Sequence, residues 1–180
     1  MAYVSDEGMI LRRKDHFDTD QLISFLTPTR GLLLVRVPHG QKSQKTHCGR
    51  LEPPNQIQAR LYQSKEDGPW TLSESEIVEV YADLIGQEDV RRQLWPLISL
   101  FADLFPEGQA PGSSYQRLRY ALDLLKEGFR PALLVTVRLL IKTAAESGIA
   151  FNPEACRLCG TSEASSWKIS PERGLLCPDC

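Results

Sequence analysis

The sequence predicts an α+β protein in three parts: a five-stranded β-barrel over residues 1–75, a helical domain over residues 76–150 and a zinc-binding element over residues 151–180. Three observations support this class. Short apolar runs separated by turn signals fill the first part, apolar residues at helical spacing fill the second, and two Cys-x-x-Cys pairs lie in the third. At 180 residues the chain can bury a core without help from disulfide bonds.

The predicted strands are short and follow one another closely. The run at residues 55–63 alternates, with Ile57, Ala59 and Leu61 on one face and longer polar or aromatic side chains on the other. Other runs are apolar on both faces, which fits a small closed barrel better than an open sheet. In chain order the five predicted strands are GMILRRK, DQLISFLT, GLLLVRV, NQIQARLYQ and PWTLSE.

Four amphipathic stretches follow with the spacing of α-helices. Ser73 and Glu76 have the spacing of a capping box, so the first helix is expected to begin there. Pro96 is expected to kink the second helix or to delay its start. Gly128 is expected to end the third helix, and Pro131 to open the fourth. We expect the apolar stripes of these helices to pack in a core rather than to bind a cofactor.

The four cysteines at the end of the sequence form its strongest motif. Seventeen residues separate the pair Cys156 and Cys159 from the pair Cys177 and Cys180, which is typical of a four-cysteine zinc site. Each pair can place two thiolates about 2.3 Å from one tetrahedral metal. Two disulfides or four incidental buried thiols are the alternatives, and disulfides fit poorly with a cytoplasmic chain. Four thiolates leave no open coordination position, so we expect one structural Zn²⁺ ion.

Charge is unevenly distributed along the chain. The 21 Lys and Arg residues and 23 Asp and Glu residues argue against binding of polyanions by the whole surface. Residues 30–50, however, contain no acidic residue, and this stretch fits a loop that neutralises phosphates as well as an ordinary solvated loop. Arg60 and Tyr62 share the polar face of the neighbouring strand, where a ring would stack on a base. The basic residues of the stretch are Arg30, Arg36, Lys42, Lys45 and Arg50.

Several other classes of protein are disfavoured. No apolar run approaches the roughly 20 residues of a membrane span. The amino terminus has no apolar segment typical of a secretory signal, so we expect a cytoplasmic protein. The sequence has neither a Gly-rich phosphate loop nor an HExxH motif, and we expect no enzymatic activity.

The order of motifs along nearly the whole chain resembles the bacterial RecO family of recombination mediators. A glycine-led first strand runs into LRRKDHFDTDQL and is followed by LTPTRG, by the loop HGQKS and by GRLEPPN. WTLSESEIVE and the helical segments continue the resemblance, and KISPERGLLC lies between the cysteine pairs. The order of these motifs is more specific than any one of them.

This resemblance implies an OB-fold barrel, a helical domain and a zinc-binding element. It also implies a non-catalytic role: binding of single- and double-stranded DNA, annealing of complementary strands, and loading of recombinase onto DNA covered by single-strand-binding protein. A RecR-like protein and the tail of single-strand-binding protein are the implied partners. By motif position, Lys42, Lys45 and Arg50 belong to the basic loop of the barrel, and Arg12, Arg13 and Lys14 to its first strand.

Two expectations qualify the resemblance. Members of the family usually continue past the cysteines, whereas this sequence stops on Cys180, so we expect either a short form or a truncated chain. The alternative function is a zinc-containing adaptor for protein interactions that binds DNA weakly or not at all.

Overall fold

The five predicted strands form a closed barrel in the computed structural model of the chain. The structure describes residues 2–17, 19–40, 49–64, 68–109, 112–128, 131–146, 154–170 and 174–180. The strands are β1 (Ala2–His16), β2 (Asp20–Thr27), β3 (Gly31–Val37), β4 (Gln56–Gln63) and β5 (Trp70–Glu79). Their order around the barrel is β1-β2-β3-β5-β4. This topology confirms the predicted five-stranded barrel.

Strand β1 closes the barrel because it is long enough to pair on both sides. Its first half, Ala2–Met9, is antiparallel to β4, and its second half is antiparallel to β2. A register shift between Ile10 and Arg12 marks the bend between the halves. Gly8 precedes this bend, and a Cβ atom there would lie 2.6 Å from the Leu26 carbonyl oxygen. The barrel can therefore turn this tightly only with glycine at that position.

The inside of the barrel is filled by the apolar residues that the strand patterns predicted. Ile57, Ala59 and Leu61 of β4 are buried there, so the predicted alternation of this strand is confirmed. The full barrel core consists of Ile10, Ile23, Phe25, Leu33, Val35, Val37, Leu51, Ile57, Ala59, Leu61 and Leu72.

In the part of the chain that the structure describes, four helices follow the barrel. They are α1 (Ala82–Ile85), α2 (Glu88–Leu104), α3 (Gly112–Lys126) and α4 (Ala132–Glu146). Gly128 follows the third helix in the left-handed conformation, and its N–H donates to the Leu125 carbonyl at 3.2 Å, as expected for a C-terminal glycine. Within the described residues, no helix has the length and apolar character needed to cross a membrane.

The predicted start of the first helix is wrong. Ser73 and Glu76 belong to β5, where residues 75 and 76 pair with Ala59 and Gln58 of β4. The helix begins at Ala82 instead, where the Asn55 side chain accepts hydrogen bonds from two backbone N–H groups. Pairing with a neighbouring strand therefore overrides a local capping pattern.

Of the two effects expected of Pro96, a kink or a delayed start, the delayed start is wrong. Helix α2 begins at Glu88 and continues through Pro96 to Leu104. Its buried side chains are Val90, Leu94, Leu97, Ile98 and Phe101, which confirms the predicted apolar stripe of this helix. Phe105, the last residue expected in that stripe, is half-buried and follows the helix.

Helices α2 and α3 cover one outer face of the barrel. Met9 and Leu11 flank the core residue Ile10, so they point out of the barrel, yet both are buried because α2 packs against β1. Polar contacts also link α3 to the barrel: Glu7 accepts a hydrogen bond from the Tyr115 hydroxyl at 3.0 Å. Burial raises the pKa of Tyr115 above its ordinary value, so this hydroxyl stays protonated as a donor.

The chain divides into two compact units, Met1–Val137 and Arg138–Cys180. The second unit contains a small antiparallel hairpin of β6 (Lys168–Ser170) and β7 (Gly174–Leu176). This hairpin lies between the two cysteine pairs.

Candidate nucleic-acid interface and metal site

A band of outward-facing side chains crosses four strands of the barrel. Arg36 of β3 is in register with Thr71 of β5, Thr71 with Tyr62 of β4, and Tyr62 with Tyr3 of β1. Their chain neighbours Val35, Leu61 and Leu72 lie in the barrel core. Because side chains alternate along a strand, the members of the band point away from that core, although Thr71 is buried among its neighbours. We call these four residues, together with Arg60 next to Tyr62, the outer band.

One end of the outer band is an aromatic cluster with a cation above it. The ring centroids of Tyr3 and Tyr62 are 5.7 Å apart, and the rings are tilted by 38°. The Arg60 guanidinium carbon lies 5.2 Å from the centroid of the Tyr3 ring, within range for a cation–π interaction. Tyr3 is 54% exposed although it belongs to a paired strand. We call Tyr3, Arg60 and Tyr62 the tyrosine cluster.

The other end of the outer band is cationic and anchored by a buried carboxylate. The Arg36 Nε donates to Asp20 at 2.6 Å, and the His39 backbone N–H donates to the same carboxylate at 2.9 Å. The His39 N–H, followed by Arg36, holds the pKa of Asp20 below its ordinary value. Leu22 of β2 pairs with both Arg36 and Lys14, so these two cations lie on the same outer face, two strands apart.

Arg12 is placed differently from the other predicted DNA-binding residues. Its guanidinium makes two hydrogen bonds to Asp103 of α2, at 2.5 and 2.6 Å, and a third to the Ser99 carbonyl at 2.9 Å. The Arg12 hydrogen bond holds the pKa of Asp103 below its ordinary value. This forked contact joins β1 to the helix that covers it.

Four more of the predicted cations also have partners. Arg13 pairs with Glu52 at 2.6 Å, and Arg60 pairs with Glu74 at 3.6 Å. Arg30 lies 3.6 Å from the buried Asp6 and 5.8 Å from the centroid of the Trp70 ring. Arg50 donates to the Ser75 carbonyl at 3.0 Å. Lys42 and Lys45 lie outside the described residues.

The four cysteines of the carboxy-terminal unit converge on one point. The Sγ atoms of Cys156, Cys159, Cys177 and Cys180 all lie within 4.8 Å of one another, and those of Cys159 and Cys177 are 3.6 Å apart. A tetrahedron of thiolates at the zinc–sulfur distance of about 2.3 Å has edges of about 3.8 Å. The cluster therefore has the size and the ligands of a four-thiolate metal site.

Local hydrogen bonds hold the first cysteine pair in place. Gly160 has φ 75°, and its N–H donates to the Cys156 carbonyl at 2.8 Å, which closes the turn around the pair. The Arg157 N–H donates to the Leu175 carbonyl at 2.9 Å and so ties this turn to β7. Cys156 is buried, whereas Cys159 is exposed.

The thiols of the cluster have unequal proton affinities. Backbone N–H groups of Cys159 and Cys177 lower the pKa of Cys156 to about 6. The neighbouring thiols of Cys177 and Cys159 raise the pKa of Cys180 to about 12. Neighbouring thiols thus disfavour the ionisation of all four cysteines at once, and a bound divalent cation would favour it.

Sequence analysis missed Tyr3. The predicted first strand began at Gly8, although Tyr3, Ser5 and Glu7 already alternate with residues that point into the barrel. The signal was obscured because Asp6, a charged residue, occupies one of the inward positions and is buried there against Thr29.

Comparisons with known sequences match both halves of the chain. A family model described as Recombination protein O N terminal matches residues 1–81, and one described as Recombination protein O C terminal matches residues 97–180. DNA repair protein RecO of Syntrophobacter fumaroxidans is 29% identical over 184 residues, which cover 99% of this chain and 72% of that protein. DNA repair protein RecO of Moorella thermoacetica is 27% identical over 179 residues, which cover 97% of this chain and 65% of that protein.

Proposed function

The chain belongs to the RecO family of DNA repair proteins, and from this premise we propose that it is a non-catalytic, DNA-binding recombination mediator. In this role it anneals complementary single strands and helps to load recombinase onto DNA coated by single-strand-binding protein. A RecR-like protein and the tail of single-strand-binding protein are its proposed partners, and the bacterial cytoplasm is its proposed location. We further propose residues 1–75 as the DNA-binding domain, 76–150 as the helical domain and 151–180 as the zinc-binding element.

The observation that carries this proposal is the outer band of the barrel. It combines exposed arginines with an exposed aromatic cluster on the type of barrel that often binds oligonucleotides. The acid-free stretch of residues 30–50 includes β3 and leads directly from Arg36 into the connection between β3 and β4. Phosphates would contact the cations, and bases would contact the rings.

The ion pairs of the band are compatible with phosphate binding. Arg36 pairs with the buried Asp20 but is itself 48% exposed, so part of its guanidinium faces solvent. Arg60 and its partner Glu74 are 53% and 68% exposed, and exposed ion pairs contribute only about 0–1 kcal/mol. A phosphate can therefore replace Glu74 as the partner of Arg60 at little cost. Arg12 is the exception, because its guanidinium already donates hydrogen bonds to Asp103 and to the Ser99 carbonyl of α2. Among the basic residues Arg12, Arg13 and Lys14 of the first strand, we therefore assign Arg12 a structural role.

The same arrangement suits strand annealing. The phosphate contacts carry no sequence information, and a ring can stack on any base. A surface with these two kinds of contact holds a single strand whatever its sequence. Such binding is required of a protein that brings any two complementary strands together.

We propose one structural Zn²⁺ ion as the metal of the four-cysteine site. The convergence of the four sulfur atoms within 4.8 Å supports a single tetrahedral ion. Thiolates are soft ligands that suit Zn²⁺ rather than Mg²⁺ or Ca²⁺. Because Cys156 and Cys177 are almost fully buried beside Leu176, ion binding would stabilise the small core of this unit.

The test is the salt dependence of single-stranded DNA binding, measured by fluorescence anisotropy between about 50 and 200 mM salt. If about five phosphates are neutralised, log K falls with log[salt] with a slope of roughly −3.5. Replacing Arg36 and Arg60 together by Gln should reduce this slope by about 1.4, since each phosphate contact contributes about 0.7.

A matched control uses two arginines of α2. Arg91 and Arg92 are 56% and 73% exposed and pair with the same Glu88. Replacing both by Gln removes the same charge as the variant of the outer band, but from α2 rather than from the band. This control variant should therefore leave the slope near that of the wild type. Equal slopes for the two double variants would contradict the assignment of DNA binding to the outer band.

The adaptor is the second candidate, and the ion pairing on the barrel favours it. Arg12, Arg13, Arg30, Arg36 and Arg60 each have a carboxylate partner, which reduces the positive potential of the barrel surface. The adaptor predicts retention of a RecR-like partner by folded protein that shows no salt-sensitive binding of DNA.

A further inference from the structure

We propose that the tyrosine cluster of Tyr3, Arg60 and Tyr62 is a stacking site for unpaired bases of single-stranded nucleic acid. The proposal rests on the DNA-binding function proposed above and deepens it. It assigns a role to Tyr3 and predicts which form of DNA the barrel prefers.

Packing within the barrel does not account for the exposure of this cluster. An aromatic cross-strand pair ordinarily stabilises two strands by contact between its rings. Here the barrel core is complete without either tyrosine, and Tyr3 keeps more than half of its surface in water. The rings are tilted by 38°, so Tyr62 does not stack flat on the Tyr3 ring. A flat apolar surface of this kind is suited to cover another flat ring.

Arg60 adds a cation at the position where a nucleotide carries its charge. Its guanidinium carbon is 5.2 Å from the centroid of the Tyr3 ring, and its nitrogen is 3.6 Å from Glu74. Glu74 is 68% exposed, so this carboxylate can move into water when a phosphate approaches Arg60. A base on Tyr3 and its phosphate on Arg60 would then be bound together.

Polar groups beside the rings can contact the edge of a base. Gln58 and Ser5 lie next along the same faces of β4 and β1, and the Gln58 amide donates to the Ser5 hydroxyl at 3.1 Å. Both side chains carry donors and acceptors, so they can pair with any base without selecting one. On the other side of the rings, Arg36 lies two strands from Tyr62, about 10 Å away, and offers a second phosphate contact.

The cluster should discriminate between single strands and duplex. In a duplex both faces of each base are covered by the neighbouring bases, whereas a single strand can turn a base outward to stack on a side chain. Pairing with a complementary strand would remove the base from Tyr3. The site would therefore hold single strands and release the annealed product.

The test compares Tyr3→Leu with Tyr3→Phe on three labelled ligands: oligothymidylate, an abasic oligonucleotide of equal length, and duplex DNA. Leucine keeps an apolar side chain but has no ring, and phenylalanine keeps the ring. Tyr3→Leu should weaken binding of oligothymidylate by about 5- to 150-fold. It should leave binding of the abasic strand and of duplex unchanged, because those ligands have only phosphates to offer. Tyr3→Phe should bind all three ligands as the wild type does.

Tyr120→Leu is the matched control. Tyr120 is 58% exposed, close to the exposure of Tyr3, but it belongs to α3 and lies outside the tyrosine cluster. This variant should bind oligothymidylate as the wild type does. A Tyr3→Leu variant with wild-type affinity for oligothymidylate would overturn the proposal. An equal loss on all three ligands would overturn it too, since it would indicate a disturbed fold rather than a lost stacking contact.

A photo-crosslinking measurement on the unaltered chain covers the case in which Tyr3→Leu does not fold. Oligothymidylate carrying 5-iodouracil should crosslink to Tyr3 or Tyr62, as read by mass spectrometry of the digested chain. Crosslinks that fall only elsewhere would refute the site while leaving DNA binding intact. Failure of the wild-type chain to bind any DNA would refute both this site and the function on which it rests.

Discussion

Replacement of Asn55 by alanine should destabilise the barrel strongly. The side-chain oxygen of Asn55 accepts hydrogen bonds from the N–H groups of Tyr81 and Ala82, both at 2.9 Å, and its amide donates to the Gly49 carbonyl at 2.9 Å. Asn55 itself is buried, with 1% of its surface exposed. The Asn55 side chain thus joins Gly49, near the end of the acid-free stretch of residues 30–50, to the start of α1.

The magnitude follows from the three hydrogen bonds. The Tyr81 N–H becomes a buried donor without a partner, which costs about 1–3 kcal/mol. The other two groups are partly buried and recover part of their loss by binding water. The expected sum is about 2–5 kcal/mol of unfolding free energy. For an m-value of about 2 kcal/mol/M, the midpoint of urea unfolding should fall by roughly 1–2.5 M.

The assay is urea unfolding followed by far-UV circular dichroism, with two further variants. Asn55→Asp keeps the acceptor for both N–H groups but places a carboxylate oxygen against the Gly49 carbonyl, so the stability that it loses at neutral pH should be partly recovered at acidic pH, where the protonated carboxyl can donate to that carbonyl. Gln58→Ala removes one exposed hydrogen bond, to Ser5, and should change stability by under about 0.5 kcal/mol. An Asn55→Ala midpoint equal to that of Gln58→Ala would refute the role given to Asn55.

Three further predictions follow from other contacts. Arg12→Gln breaks the forked contact to α2; it should lower the unfolding free energy by about 1 kcal/mol without altering the salt slope of DNA binding, and a reduced slope would place Arg12 on the DNA. The pKa of the Asp20 carboxyl is lowered in the folded state, so its contribution to stability is present above the unfolded pKa of about 4 and is lost as the pH falls through the folded value. Asp20→Asn should therefore flatten the acid side of the stability–pH curve measured by thermal unfolding, and an unchanged curve would contradict the coupling with the His39 N–H. Cys177→Ser should lose the bound zinc, measured by atomic absorption, and lower the thermal stability of the carboxy-terminal unit. The control is Cys48→Ser, which changes the one cysteine outside the two pairs and should keep both the zinc and the stability. Zinc retained by Cys177→Ser would contradict the four-cysteine site.

The barrel and the four-cysteine cluster were predictable from the sequence because their signals are local. Alternation in residues 55–63 gives the face of β4 that enters the core, and turn signals separate β2 from β3. The spacing within each Cys-x-x-Cys pair fixes two sulfur atoms near each other. The convergence of the two pairs then follows from the hairpin between them.

The features that sequence reasoning missed depend on contacts between distant parts of the chain. Ser73 and Glu76 satisfy a local helix signal, and only their pairing with β4 makes them part of a strand. The partner of Arg12 is Asp103, 91 residues away, so the contact of this cation with α2 is not visible from its position in the sequence. The stacking of Tyr3 beside Tyr62 likewise requires the register of β1 against β4. No local pattern contains this information.

Annealing of complementary oligonucleotides by the zinc-loaded chain is the measurement that tests the proposed mediator function most directly. The two strands carry a donor and an acceptor dye, so energy transfer reports the rate of pairing. We expect the chain to accelerate annealing at about 50 mM salt and to lose this effect toward 200 mM, in parallel with its binding of single strands. Folded, zinc-loaded protein that neither binds single strands nor accelerates their pairing would contradict the account.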